Sequence, residues 1–201
     1  MPWTAEELSV FLSEHLLKDS LEPVVRELQE VQAGRGMVVA DHEDSLLQGD
    51  VYEGVPCVRR QGELAITPQR VMLVSNSCDA TPDNPRPIPL DLTVAPVLRL
   101  SRYRDLLAAS GKATDAQIAD MVNSIKRQEK THLVYLPAGG NMEEEMVALL
   151  DKVQSLPAPD FHGANPRRLA VLTDRGFWIF LVKLSMHFLR PHEGVQRATA
   201  H

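Results

Sequence analysis

An α+β fold, built on a small, strongly bent antiparallel sheet or barrel, is what this sequence predicts. Three observations predict it. Short apolar runs recur between residues 48 and 100, each closed by Gly or Pro, the texture of strands joined by turns. Segments with apolar residues three and four apart lie at both ends of the chain and over residues 101–129, the spacing of amphipathic helices. A length of 201 residues allows one sizeable core with appendages. The expected organisation is an N-terminal helical segment over 1–47, a barrel-like domain over 48–190 with a helical insertion at 101–129, and a flexible tail over 191–201.

The elements follow in order. Thr4 and Glu7 form a capping box, with Trp3 and Leu8 at the flanking staple positions. Leu8, Phe11, Leu12 and Leu16 share one helical face. A second helix begins after Ser20, with Pro23 in its first turn, and ends at Ala33-Gly34; Val24, Val25, Leu28 and Val31 form its stripe. Gly49-Asp50-Val51-Tyr52 opens a strand that Val55 to Arg59 continues, and Arg60-Gln61-Gly62-Glu63 reads as a turn. Leu64 to Ile66 and Val71 to Val74 are expected as strand pieces, interrupted by Thr67-Pro68. A proline-rich loop with Pro82, Pro85, Pro87 and Pro89 leads to a strand over Leu90 to Val97, where Pro96 implies an edge or an end. Arg102 to Ala109 and a Thr114-capped segment reaching about Gln128 make the inserted helices. Thr131 to Leu136 returns to strand. Met142 to Leu156 leans helical, because Met146, Leu149, Leu150 and Val153 share a face, with a short strand before Pro157 left open. The final helix starts at Thr173 or Asp174 and stops at Pro191. Its stripe is Phe177, Leu181, Leu184 and Phe188, widened by Trp178 and Phe180.

Composition narrows the function classes. With 44% hydrophobic and 24% charged residues, a disordered chain is not expected. A net charge of -6 argues against a broad basic surface for duplex nucleic acid and leaves a local basic patch open. Two cysteines, Cys57 and Cys78, are too few for a disulfide scaffold. The N-terminus lacks the basic start and apolar core of a signal peptide. The longest apolar run, Phe177 to Leu184, carries Lys183 and is far short of the ~20 residues of a membrane span. A soluble, cytoplasmic protein without membrane contact is the expectation.

The most suggestive stretch is Val71-Met-Leu-Val-Ser-Asn-Ser-Cys-Asp79, an apolar strand running into small reactive side chains. A rigid strand ending in a polar loop is a common way to build a site. Asp79, Cys78 and Arg70 are the catalytic candidates; Ser75, Asn76, Ser77, Arg99 and Arg168 are the substrate-binding ones. A thiol beside a carboxylate suits a nucleophile or a soft metal ligand. The competing reading is a small packed thiol, with Asp79 capping the turn. Arginines at strand ends suit phosphate or carboxylate recognition, although each is more commonly plain surface charge. His132, His187 and His192 have the pKa range of a general base, but none stands at an identifying spacing. No Cys-x-x-Cys or His-x-x-x-His spacing calls for a metal, and no cofactor is expected. The terminal aromatics have core or dimer-face spacing, and Glu143-Glu144-Glu145 reads as a solvated face.

The order of these features resembles the PemK/MazF toxins, small SH3-like barrels that cleave RNA. The resemblance rests on Gly49-Asp50-Val51 opening a strand, Val71-Met-Leu-Val-Ser-Asn76 ending one, and Val94-Ala-Pro-Val97 reaching a proline. Arg168-Leu-Ala-Val-Leu-Thr173 then leads into the last helix. It spans about residues 48 to 190. It implies an SH3-like barrel, a homodimer as one assembly, and an RNA-directed role of toxin–antitoxin or phage-defence type. The threonine-serine pair that assists catalysis in those toxins is replaced here by Val97-Leu98, and the N-terminal helices and Cys78-Asp79 are additions. Three functions therefore compete: an RNA-binding or endoribonuclease-like barrel, a non-catalytic protein-interaction module on a degenerate barrel, and a cysteine- or metal-dependent enzyme at Cys78 and Asp79.

Overall fold

The computed structural model describes residues 36–40, 45–59, 63–82, 86–88 and 90–189. The helices predicted before Gly34, most of the Arg60 to Glu63 turn, His192 and the tail lie outside the described residues. Among those described, eight strands form one curled, antiparallel half-barrel sheet with five α-helices around it. The strands are β1 (Val38–Val39), β2 (Val51–Arg59), β3 (Ala65–Leu73), β4 (Asp91–Arg99), β5 (Leu133–Leu136), β6 (Met146–Leu149), β7 (Gln154–Pro157) and β8 (Arg167–Leu172). The helices are α1 (Ser77–Ala80), α2 (Leu100–Ala109), α3 (Asp115–Lys126), α4 (Ala158–Gly163) and α5 (Asp174–Leu189). Strand order is β1-β8-β2-β3-β4-β6-β5, with β7 also paired to β4. The strands expected between 48 and 100 and at 131–136 thus belong to one bent sheet. Val38 and Val39, inside the segment expected to be helical, pair with Leu172 and Val171 of β8.

Two glycines shape the start of the barrel. Gly49 has φ +93, and a Cβ there would collide with the Leu172 side chain, so the turn into β2 admits no larger residue. Gly54, at φ +95, lies where the β2–β3 register shifts between Glu53 and Val55, a bulge that bends the hairpin.

Three cores follow from strand alternation. Tyr52, Val55, Cys57, Val71, Leu73, Leu92, Val94, Leu156 and Phe161 fill the inner curl. The second core packs Val51, Met72, Ala95, Val97 and Ala170 with Phe180 of α5. The third lies where α2 and α3 cover β5 and β6, on Leu100, Ile125, Leu133, Tyr135, Val147 and Leu149. The Thr114 box predicted for α3 is present: Gln117 N donates to Thr114 Oγ1, and Thr114 N donates to Gln117 Oε1.

Four expectations are corrected. First, β3 runs unbroken through Thr67-Pro68. Leu73 bonds to Gly49 and Asp50, so odd residues of β3 turn their peptide groups to β2, and even ones, Pro68 included, turn theirs away. On that side β4 pairs with β3 only over Val71 to Leu73, so Pro68 breaks no ladder bond.

Second, Pro96 sits in an interior strand instead of at an edge. β4 pairs with β7 over Asp91 to Val94 and with β6 over Val97 to Arg99, and the 3-10 turn Leu150–Lys152 separates the two partners. Val74 N donates to Thr93 O, so odd residues of β4 face β3 and Pro96 faces that interruption, where no donor is needed.

Third, residues 142–156 form strand, 3-10 turn and strand. Met146, Ala148 and Leu150 enter one core while Val147 and Leu149 enter another, so both faces of this short run are buried. A run buried on both sides carries no alternation to mark it as strand, and its apolar residues also satisfy a helical period.

Fourth, the buried face of α5 is turned from the predicted stripe. Ile179, Phe180, Val182 and Lys183 are buried, Phe177, Leu181 and Leu184 only partly, and Phe188 is 54% exposed. The helix is oriented by Met37, which packs on Ile179 and whose carbonyl lies close against Gly176. That contact joins residues far apart in the chain.

Lys183 is the unexpected member of this face. Its Nζ donates to the carbonyls of Gln128 (2.6 Å) and Lys130 (2.8 Å), just beyond the C-terminus of α3, where a cation complements the helix dipole. Gln128 holds φ 59 and bonds through its side chain to both N and O of Tyr135. The lysine therefore clamps a left-handed turn that in turn holds β5.

Two predictions follow. Phe180→Ala should cost about 3–5 kcal/mol and Phe188→Ala no more than about 0.5 kcal/mol, read from urea unfolding. Burial pushes the Lys183 ammonium down to about 7, so between pH 7 and its ordinary value of 10.5 the unfolded chain holds the proton more tightly than the native one. Native stability should therefore rise with pH across that window, by an amount on the order of a few kcal/mol, and the rise should vanish in Lys183→Met.

Candidate functional site

The rim from Ser75 to Asp79 follows β3 as expected, but its polar groups are consumed by the fold. Ser75 Oγ accepts from Thr93 N (2.7 Å), and Ser77 Oγ accepts from Gln48 N (2.9 Å). Asn76 caps α1 through Cys78 N (3.0 Å). Gln48 completes the lock by donating to Val74 O (2.7 Å). Asp79 pairs with Arg86 from the proline loop, and both side chains remain partly exposed. Cys78 is exposed, so the packed-thiol reading fails for it and holds for Cys57, whose thiol burial pushes up to about 11. Neither is in a disulfide.

The arginines are dispersed among carboxylates. Arg70 donates to Glu53 (2.8 Å), and Arg167 donates to the other oxygen of Glu53 (2.7 Å), an ionic row across β3, β2 and β8. The hydrogen bond from Arg167, with that from Arg70, holds the Glu53 carboxyl below its usual range despite partial burial. Arg99 pairs with Glu144 (3.3 Å). Arg168 is committed to Asp50 (3.5 Å) and to the Ser45 carbonyl (3.3 Å). Asp50 is fully buried and also accepts from Tyr52 Oη (3.2 Å), whose pKa is raised by burial and then by the Asp50 charge. The Gly49-Asp50 pair thus anchors the turn into β2. The eight residues predicted as a site fall into separate arrangements: one locked rim and three ion pairs.

Among the described residues, no hydrogen bond or ion pair joins His132 or His187 to them. Burial lowers the His132 pKa, and His187 on α5 meets Phe188 ring to ring at 4.8 Å. No three His, Cys, Asp or Glu residues are placed to hold a metal among the described residues, and no described helix is long and apolar enough to cross a membrane.

A concave feature among the described residues lies elsewhere. Leu73 and Val71 of β3 share the inner face with Leu92 and Val94 of β4, and the same face continues outward through Gln69 and Thr67 opposite Pro96 and Leu98. Between the inner-curl core and the α2–α3 core that continuation is uncovered. A cleft of about 1010 Å³ opens there, walled by the β2–β3 hairpin, by Arg102 and Leu106 of α2, and by Leu149 to Ser155. The two prolines keep it open. Pro68 and Pro96 withhold donors on the sides where further ladder would otherwise close the gap. Gln154 Oε1, accepting from Val58 N (2.8 Å), pins the hairpin to β7 at its margin.

The cleft lining is mixed: Val58, Pro68, Pro96, Leu98, Leu106, Leu149 and Val153 are apolar, and Thr67, Gln69, Gln154 and Ser155 add uncharged polar groups. Arg102, Asp151 and Lys152 line it and make no ion pair among the described residues. No described aromatic side chain or histidine lines it. Nothing in the sequence marked it: Thr67-Pro68 reads there as an interruption and Pro96 as a strand's edge or end. No protein-family model and no curated protein matches the chain.

One prediction separates rim from site. Asp79→Ala should change stability by less than about 1 kcal/mol, because its ion pair is exposed. Ser75→Ala, which leaves Thr93 N without its acceptor, should cost about 1–3 kcal/mol in chemical melts.

Proposed function

We propose that this protein is a non-catalytic interaction module on a degenerate SH3-like barrel, similar in its order of elements to the PemK/MazF toxins, and that it binds through the cleft. The observation that carries this reading is the cleft lining: apolar and polar residues in equal number, with two cations, one carboxylate and no described aromatic residue. An RNA-binding groove combines cations that track the backbone with aromatic faces for stacking. This cleft supplies neither a basic track nor a stacking platform. Among the described residues the candidate arginines are held by carboxylates, and the rim hydroxyls are held by backbone amides. An RNA-cleaving chemistry would need those groups at the substrate.

The experiment compares two probes on the full chain. An apolar fluorescent dye should bind the native protein saturably, and Leu106→Glu should abolish that binding while the melting temperature holds, since Leu106 is 36% exposed. Single-stranded RNA should show neither cleavage nor salt-sensitive binding. RNA affinity that falls steeply with salt and ignores Leu106→Glu would overturn this reading in favour of the RNA-directed one.

A further inference from the structure

Resting on that reading, we infer that the cleft takes an acidic, apolar segment of a partner protein. Its volume of about 1010 Å³ lies at the top of the range for small-ligand pockets, about 300–1,000 Å³, and room for several side chains suits a chain segment. Val58 at its margin pairs across the hairpin with Ile66; Ile66 (72% exposed) and Leu64 (75% exposed) alternate with the inward Thr67 and lie on the hairpin's other face.

Charge sets the partner's sign. Arg102 on α2 and Lys152 on the 3-10 turn line the opening and make no ion pair among the described residues, whereas Asp151 supplies one negative charge. The cleft is therefore net positive in a chain of net charge -6. A segment with carboxylates among large apolar side chains complements it, and a basic segment is repelled by it. Strand addition is not the mode of binding. Pro68 removes a donor from the exposed side of β3, so recognition falls to side chains, with Gln154 and Ser155 as polar partners at the wall.

The test uses three synthetic peptides of one apolar pattern, carrying Glu, Gln or Lys at the intervening positions, titrated onto the full chain. The Glu peptide should bind, and the Lys peptide should bind about tenfold more weakly, the loss expected of two surface ion pairs. Arg102→Glu with Lys152→Glu should invert that order, and Arg102→Gln with Lys152→Gln should flatten it without loss of fold. Equal binding of all three peptides, abolished by Leu106→Glu, would overturn the charge inference and leave the interaction reading standing. Binding of none of them, with single-stranded RNA bound instead, would overturn both.

Discussion

The backbone hydrogen bonding of β4 is the constraint on which the rest depends. Along nine residues it serves β3 on one side and two successive partners, β7 and β6, on the other. Buried peptide groups must be paired, so a central strand with a gap in its partner needs a residue that lacks the corresponding donor. Pro96 meets that need. The 3-10 turn can then step from β6 to β7, and the sheet can curl instead of extending flat.

The curl divides the interior. Side chains alternate along β4, so Leu92 and Val94 enter the inner core, and Ala95 and Val97 the one covered by α5. Between the inner core and the one under α2 and α3, the inner face is left without cover. The cleft is that interval, a by-product of how the half-barrel curls. Its walls are secured at a few points, by Gln154 on Val58 N at one margin and by the Ser75, Ser77 and Gln48 lock at the far end of β3.

Polar residues in this protein serve mainly as fasteners. Asp50 with Arg168 and Tyr52 fixes the turn into β2; Lys183 with the carbonyls after α3 fixes the turn into β5. Both bury a charged group, which is costly unless its partners are close. By contrast, Arg102, Asp151 and Lys152 in the cleft make no ion pair among the described residues.

The sequence by itself determined the α+β class, the positions of β2, β4, α2, α3 and α5, and the Thr114 cap, because each rests on periodicity, turn chemistry or a local cap. It also marked Ser75 to Asp79 as a polar rim at the end of β3. It could not show that those hydroxyls are held by Thr93 N and Gln48 N, since the partners stand 18 and 29 residues away. Pro68 looked like an interruption, and Pro96 like an edge or an end, because a proline's cost depends on which side of the strand its nitrogen faces, and pairing alone decides that. The run from Met146 to Leu150 looked helical because burial on both faces erased its alternation. The cleft was not legible at all. Its residues come from β2, β3, β4, α2 and the 3-10 turn, and only the curvature of the sheet brings them together.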